Sequence, residues 1–367
     1  MIRKKQRWII KIGSALLTQN GTGLDEDRIK DWCDQMAYLH SKDIEVILVS
    51  SGAVAVGMSH FNWETRPEKM AQLQACAAIG QTKLVQYYEQ CFNGHDLHSA
   101  QILLTHDDLA NRTRYLNAKA AIDALLELNI IPIINENDTV VTDEIRFGDN
   151  DTLGALVANL MAADRLIILT DQLGLFNKDP RSNPDAELIS EANASDSDIA
   201  LMATGGGALG RGGMVTKIRA AKLAARSGTN TNIASGMEES VITRLFDGEK
   251  LGTLLLADQA PLNARKQWLA GHLKTKGTLM VDEDSYKEVL SHESLLAIGI
   301  ISSSGTFQRG EVVSLANQSG RIFARGLINI SSLDIKKVIG VASNDLSQIL
   351  GYACDDEVIH CDNLVTV

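Results

Sequence analysis

A lysine at the end of a glycine-rich run is the first candidate for chemistry in this chain. Six glycines fall within the nine residues from Gly205 to Gly213, and Lys217 follows at the start of an amphipathic helical pattern. Glycines let the backbone close tightly around a ligand. A helix N-terminus carries a partial positive charge, to which the lysine adds a full one. This combination favours the binding of a phosphate group.

Two common nucleotide-binding motifs fit this run poorly. Gly205, Gly207 and Gly210 have the spacing of the dinucleotide fingerprint, but that motif requires a strand that turns directly into a helix. The preceding residues 193–204 are rich in Asp, Ser and Ala and predict a helix or a loop. The P-loop requires a Gly-Lys pair, which the sequence lacks. By itself, the run is equally consistent with an ordinary loop and a solvated lysine.

Further polar residues stand where predicted strands end, which is the edge at which open α/β sheets bind ligands. Any one of these groups could be a helix cap or an ordinary turn. Because the carboxyl ends of parallel strands meet at one edge of a sheet, we expect the groups to lie close together. They are Lys11-Ile12-Gly13-Ser14, Ser50-Ser51-Gly52-Ala53, Asn135-Glu136-Asn137-Asp138, Phe147-Gly148-Asp149-Asn150-Asp151 and Thr170-Asp171.

The strands themselves are indicated by apolar runs in the first part of the chain. Two of these runs, 46–49 and 166–169, are apolar throughout, which is typical of parallel strands covered on both faces. Helical patterns lie between the runs. The sequence therefore predicts an α/β fold with a doubly wound, mainly parallel sheet sandwiched by helices. The predicted strands are 8–12, 45–50, 99–103, 130–134, 166–170 and 230–234, and the predicted helices are 25–40, 69–91, 111–128 and 214–226.

The pattern changes after about residue 252. Residues 277–367 contain short alternating runs separated by Gly, Ser and Asn turns, which predicts a small β-rich domain. A chain of 367 residues has room for two or three domains. We therefore predict a first domain at 1–258, a linker at 259–276 and a second domain at 277–367.

Composition limits the classes of partner. The net charge is −11 and the pI is about 5.2, which argues against general binding of nucleic acid or of anionic membranes. The five cysteines are scattered. Cys354, His360 and Cys361 lack a fourth metal ligand nearby, so we interpret the cysteines as thiols. No signal peptide and no apolar stretch of membrane-spanning length is apparent, which predicts a cytoplasmic protein.

Taken together, the motifs at the strand ends resemble those of the amino acid kinase family, and within it those of the glutamate 5-kinases. The segments Gly212-Gly213-Met214-Val215-Thr216-Lys217 and Asp179-Pro180-Arg181 add to the resemblance. Residues 277–355 resemble the PUA domain that many of these kinases carry, so the resemblance covers the whole chain. It implies the amino acid kinase fold and ATP-dependent phosphorylation of the side-chain carboxylate of L-glutamate to glutamyl 5-phosphate, the first step of proline biosynthesis.

The resemblance also implies roles for individual residues. Lys11 and Lys217 are expected to contact the transferring phosphoryl group, and Asp151 to orient both lysines. Glutamate is expected to bind Ser51, Asp138 and Asn150, where an Asp suits the ammonium and Ser and Asn suit the carboxylates; Asp149 is expected near the substrate or the metal. ATP is expected to bind Lys11, Gly13, Thr170, Asp171, Arg211, Gly212, Gly213, Met214, Val215, Thr216 and Lys217.

Backbone N–H groups of Gly13, Gly52 and the Gly212-Gly213 pair are expected to bind phosphate oxygens. No protein ligand for a metal is predicted, because Mg²⁺ is expected to enter with ATP and to be held by phosphate oxygens and waters. Two positions depart from the pattern of the family. Arg211 stands where a Thr is usual, and Arg146 stands where a Lys is common.

Alternative functions come from the same residues. A related carboxylate kinase would act on acetylglutamate or aspartate. A catalytically silent regulator would keep the fold, but the retention of Lys11, Asp151 and Lys217 argues against it. An RNA-binding role of the PUA-like domain is disfavoured by six Lys/Arg against twelve Asp/Glu in residues 277–367. The resemblance further implies a homo-oligomer, either a tetramer or a dimer, inhibition by proline, and handover of the labile product to glutamyl phosphate reductase.

Overall fold

A computed structural model describes residues 5–18, 23–141, 150–204, 213–258, 275–352 and 354–366, without the side chains of Arg112, Thr204 and Asp362. The chain divides into two compact units. The first comprises Met1–Ala110 and Asn117–Leu262, and the second comprises Asn111–Leu116 and Asn263–Val367. Residues 259–274 lie outside the described parts, so the domain and linker boundaries stay a prediction.

The first unit alternates strands and helices along most of its length. Each predicted strand and helix is present, within a few residues at its ends. The elements are β1 (Arg7–Ile12), α1 (Ser14–Leu17), α2 (Glu26–Ser41), β2 (Glu45–Val49), α3 (Ala53–His60), α4 (Met70–Asn93), β3 (His98–Leu104), α5 (His106–Ala110), α6 (Arg112–Glu127), β4 (Ile130–Glu136), α7 (Asn150–Met161), β5 (Arg165–Thr170), β6 (Glu191–Asn193), α8 (Ser197–Thr204), α9 (Met214–Ala225), β7 (Asn230–Ser235), α10 (Val241–Phe246) and β8 (Thr253–Leu256).

These strands form one sheet in the order β3-β4-β2-β1-β5-β7-β8-β6. All neighbours from β3 to β7 pair in parallel; β8 is antiparallel to β7, and β6 is parallel to β8. The chain leaves β1 towards β2 on one side and later returns to β5 on the other. The strand order therefore reverses beside β1, which is where open α/β sheets bind ligands. The predicted doubly wound, mainly parallel sheet is confirmed.

Both faces of the central strands are buried. Ile10, Ile12 and Leu169 belong to a core cluster that includes Trp32 of α2 and Tyr88 of α4. The alternate strand residues, such as those at positions 9, 47 and 168, are also fully buried. On that second face α7 packs against β1, because a side chain at Gly154 would lie 3.6 Å from Cβ of Lys11. Helices thus cover the sheet on two sides and position Lys11 against α7.

The second unit is rich in short strands, as its sequence pattern predicts. The elements are β9 (Gly277–Val281), α11 (Glu283–Leu290), β10 (Leu295–Leu296), a 3₁₀ turn (Ala297–Gly299), β11 (Ile300–Gly305), β12 (Val312–Ala316), β13 (Ile322–Leu327), α12 (Ser332–Val338), α13 (Ser343–Leu350), β14 (Glu357–Ile359), a second 3₁₀ turn (Cys361–Asn363) and β15 (Leu364–Thr366). The main sheet has the order β11-β9-β12-β13-β15, in which only β9 and β12 pair in parallel, and β10 pairs with β14 in a separate ribbon. The unit has its own apolar core.

Within the described residues, none of the helices is both long enough and apolar enough to span a membrane.

Candidate active site

The centre of the candidate site is one carboxylate held between two lysines. Lys11 Nζ lies 2.5 Å from Oδ1 of Asp151, and Lys217 Nζ lies 3.0 Å from Oδ2 of the same side chain. The three residues come from the end of β1 and the first turns of α7 and α9. The contact predicted between Lys11, Asp151 and Lys217 is therefore present in the structure.

All three charged groups are buried, with exposed fractions of 5% for Lys11, 4% for Asp151 and 8% for Lys217. Burial alone would raise the pKa of Asp151. The charges of Lys11 and Lys217, together with hydrogen bonds from Lys11 and Thr216, outweigh burial and lower this pKa to about 2. Asp151 is therefore ionised at neutral pH. Because one carboxylate serves two ammonium groups, this cluster carries one excess positive charge, which suits an anionic ligand.

The local backbone explains how each charge reaches the cluster. Asp151 occupies the first turn of α7, where the helix dipole stabilises a negative charge. Gly154, one turn later, lies directly over the stem of Lys11. Beyond Lys11, the N–H of Gly13 donates to the carbonyl of Leu169 at 3.2 Å, so it extends the pairing of β1 with β5. This N–H therefore has a partner within the sheet, and its binding of a phosphate oxygen stays a prediction.

The start of α9 supplies the second lysine and a hydroxyl. Gly213, the N-cap residue, has φ 82° and ψ −150°, a conformation that essentially only glycine adopts. The hydroxyl of Thr216 lies 2.8 Å from Oδ2 of Asp151 and 2.9 Å from the carbonyl of Gly213. The first N–H groups of any helix lack partners within the helix, so the half-buried residues Met214 and Val215 offer backbone donors beside the lysine.

A chain of side-chain amides adjoins the lysine cluster at Asn150. Nδ2 of Asn150 donates to the carbonyl of Ser50 at 2.6 Å and to Oδ1 of Asn135 at 2.7 Å. Nδ2 of Asn135 donates in turn to Oε1 of Gln81 at 2.5 Å. Gln81 lies on α4, and sequence reasoning missed it because one polar residue inside a helical pattern carries no signal. In the sequence, Asn135 stands out only as the first residue of the segment Asn135-Glu136-Asn137-Asp138.

The other predicted site residues lie on the same edge of the sheet. Ser51 is buried directly after β2, and Asp138 is half-buried in the turn after β4. Thr170 is buried at the end of β5 and donates its hydroxyl to Asp171 at 3.1 Å, whereas Asp171 itself is exposed. Asp149, Arg211, Gly212 and the unusual Arg146 lie outside the described residues.

The donor set of the site suits phosphate better than a metal ion. It consists of ammonium groups and backbone N–H groups, which can donate hydrogen bonds to phosphate oxygens. In the described parts of the chain, no group of three or more His, Cys, Asp and Glu side chains could hold a metal ion.

The sequence matches the models of two known protein families. Residues 6–235, more than half of its length, match the sequence model of the Amino acid kinase family. The chain belongs to the amino acid kinase family. Residues 277–350 match the model of the PUA domain. The resemblance inferred from the motifs is confirmed, both for the family and for the C-terminal domain.

Similar proteins within the family cover the chain from end to end. The chain is 56% identical over 367 residues to a glutamate 5-kinase of Chromohalobacter salexigens, covering 100% of this chain and 97% of that protein. It is also 56% identical over 364 residues to a glutamate 5-kinase of Pseudomonas syringae pv. tomato, covering 99% of this chain and 98% of that protein. Among solved structures, carbamate kinase from Giardia lamblia bound to AMP-PNP is similar in fold, with a TM-score of 0.50 and 19% identity over 70% of this chain and all of that one.

Proposed function

We propose that this member of the amino acid kinase family transfers the γ-phosphoryl group of ATP to the side-chain carboxylate of L-glutamate. The product is glutamyl 5-phosphate, and the reaction is the first step of proline biosynthesis. The observation that carries the proposal is the pair of buried lysines on one carboxylate, Lys11 and Lys217 on Asp151, at the ligand-binding edge of the sheet. Full-length similarity to proteins named glutamate 5-kinase supports glutamate as the acceptor.

The chemistry of this transfer requires neutralisation of charge more than movement of a proton. A glutamate side chain has a pKa of roughly 4.3 and is ionised at neutral pH, so it needs no general base. The difficulty is the approach of one anion to the phosphates of another. Lys11 and Lys217 meet this difficulty, since they place two positive charges where the phosphoryl group would pass.

Asp151 and Thr216 act on the lysines rather than on the substrate. The carboxylate fixes both ammonium groups at 2.5 and 3.0 Å, and the Thr216 hydroxyl fixes one of its oxygens. Each ammonium has three N–H donors, and Asp151 takes one from each. The lysines are thus held in place before the substrate arrives, which lowers the reorganisation needed at the moment of transfer.

The residues proposed to bind ATP and glutamate keep the roles expected from the sequence. Thr170, Asp171 and the start of α9 are proposed for ATP; Ser51, Asp138, Asn150 and Asp149 are proposed for glutamate. Mg²⁺ is proposed to arrive with ATP and to supply additional positive charge on its phosphates. The donor set of Lys11 and Lys217 fits the nucleotide's phosphates directly.

Trapping of the acyl phosphate with hydroxylamine tests the proposal. Purified full-length protein is incubated with ATP, Mg²⁺ and either glutamate, acetylglutamate or aspartate, and the hydroxamate is quantified. We expect hydroxamate with glutamate and little with the other two acids. A product formed only from acetylglutamate or aspartate would replace the proposed substrate, and no product with any of the three would favour the silent regulator.

The remaining expectations, on assembly, regulation, location and domain bounds, are proposals that the sequence alone supports. They are assembly into a dimer or tetramer, inhibition by proline, handover to glutamyl phosphate reductase, a cytoplasmic location and a domain division at 1–258, 259–276 and 277–367. RNA binding by the second unit is the alternative of a different class. The net charge of −6 on residues 277–367 disfavours contact with a phosphate backbone. Tight RNA binding in a filter assay at low salt would overturn that view.

A further inference from the structure

Two backbone groups, the carbonyl of Ser50 and the N–H of Glu136, set the direction of the side-chain amides that run from Asn150 through Asn135 to Gln81. The carbonyl of Ser50 can only accept, so the Asn150 atom 2.6 Å away is the nitrogen. Oδ1 of Asn135 accepts from the N–H of Glu136 at 2.9 Å and from Asn150 at 2.7 Å, so the nitrogen of Asn135 must face Gln81. The Gln81 atom that meets it at 2.5 Å is therefore the oxygen.

This direction decides what Asn150 can offer a ligand. Both N–H groups of its amide are used by Ser50 and Asn135, and its Oδ1 receives no hydrogen bond from any residue that the structure describes. Asn150 is half-buried, at the start of α7 and next to Asp151. The atom left for a ligand is thus an acceptor, which suits the ammonium of an amino acid and not its carboxylates.

At the other end of this chain of amides, Gln81 has a buried side-chain nitrogen that lacks a hydrogen-bond partner among the described residues. A buried donor without a partner is unfavourable, so packing must hold this side chain in place. α3 and α4 are close enough to do so, because a side chain at Gly80 would lie 1.8 Å from the carbonyl of Ala53. Gln81 follows this contact directly in the sequence.

We propose that Gln81 is a positioning residue for recognition of the substrate's amino group. By accepting from Nδ2 of Asn135, Gln81 supports the position of Asn135 and, through it, that of the Asn150 amide. The carbonyl of Ser50 sets the direction of that amide, with its oxygen presented to the ammonium of the substrate. Gln81 itself does not touch the substrate. The inference rests on the proposed function, because it assumes an amino acid as the acceptor, and it assigns Asn150 to the ammonium rather than to a carboxylate.

The test compares glutamate with glutarate, the same dicarboxylate without the ammonium. For Gln81→Met in the full-length enzyme, we expect the KM for glutamate to rise about tenfold, while the KM for ATP and the inhibition constant of glutarate stay within about twofold. Turnover at saturating glutamate should remain within about threefold of the wild type, since the lysine cluster is unchanged. Gln81→Glu keeps an oxygen facing Asn135 in either protonation state, so its KM for glutamate should stay within about threefold.

Gln86→Met is the matched control, because Gln86 is exposed on the same helix. Should the Met variant of Gln81 not fold, Gln81→Asn withdraws the same amide by one methylene and should give the same split between glutamate and glutarate. An unchanged KM for glutamate, or an equal weakening of glutamate and glutarate, would overturn the role of Gln81. Failure of the proposed function is separate, since it would appear as absence of hydroxamate from glutamate in the wild type.

Discussion

Replacement of Asp151 by asparagine tests the central feature of the site, because it removes the charge and nearly preserves the shape. The carboxylate is the counter-ion of two lysines that are themselves buried. Asp151→Asn therefore leaves the ammonium groups of both lysines buried without a counter-ion. We expect the variant to lose stability and turnover together, since the same contacts hold the fold here and aim the lysines.

The lowered pKa of Asp151 gives a lower bound on the free energy of unfolding that the variant loses. Its fall from 3.8 to about 2 corresponds to about 2.5 kcal/mol of stability at neutral pH. Removal of one member of a buried ion pair costs about 3–5 kcal/mol, because the remaining charge is uncompensated. A loss of about 3 kcal/mol lowers the melting temperature of a unit of this size by about 6–12 °C. Turnover should fall by about 10²–10³, the effect of losing one preorganised electrostatic group.

The pH dependence identifies the carboxylate as the source of the effect. Folding lowers the pKa of Asp151, so its contribution to stability is complete above the pKa of the unfolded chain, about 3.9. The contribution is lost as the pH falls towards about 2. The difference in free energy of unfolding between wild type and Asp151→Asn should be constant from about pH 7 to pH 5 and about 1 kcal/mol smaller at pH 3. Urea unfolding followed by circular dichroism at each pH measures this difference.

Asp247→Asn is the control for the change of charge alone, because Asp247 is exposed at the end of α10 and makes no ion pair among the described residues. It should keep the wild-type stability and turnover. The reasoning would be refuted if Asp151→Asn matched this control in stability, or if its deficit were as large at pH 3 as at pH 7.

Three further substitutions test separate parts of the site and its support. Lys217→Ala should abolish hydroxamate formation at saturating ATP while the far-ultraviolet circular dichroism is unchanged, and Lys222→Ala on the same helix should be active; near-normal turnover of the first would contradict a role in the transfer. Thr216→Val removes one hydrogen bond to the shared carboxylate, so turnover should fall about 2- to 10-fold; an equal rate would mean that the hydroxyl positions nothing. Gly80→Ala should lower the melting temperature by several degrees, because the new Cβ would lie 1.8 Å from the backbone oxygen of Ala53. Gly154→Ala is the control and should be tolerated, because its Cβ meets only ordinary contacts at 3.6 Å. Equal melting temperatures of the two variants would show that α3 and α4 are not in close contact.

Most of the sheet could be predicted because burial on both faces leaves a continuous apolar run in the sequence. β1 and β5 illustrate this, since all of their residues except the first are buried. The short strands β6 and β8 could not be predicted, because three and four residues are too few to establish a pattern. Residue spacing also could not show how far β1 continues its pairing, and this is why the hydrogen bond from the N–H of Gly13 to Leu169 could not be predicted.

The candidate site was predictable to the level of residue type and not to that of atoms. Resemblance to the family gave Lys11, Asp151 and Lys217, which are separated by 140 and 66 residues in the chain and could not be joined by spacing alone. The atom that Asn150 presents depends on which neighbour takes its N–H groups. That choice is made by the backbone carbonyl of Ser50, which follows β2 and lies 100 residues away in the chain, and no local pattern encodes it.

The ratio of charges in the cluster has a consequence for both stability and function. A second carboxylate would neutralise the lysines and stabilise the buried cluster, but it would also take up the donors that a phosphoryl group needs. With Asp151 alone, the lysines Lys11 and Lys217 stay fixed while one positive charge remains uncompensated. A buried excess charge is unfavourable in the empty site and becomes favourable when an anion enters it. The charge that develops on the transferring group gains most from this arrangement, because the lysines are already in position when that charge appears.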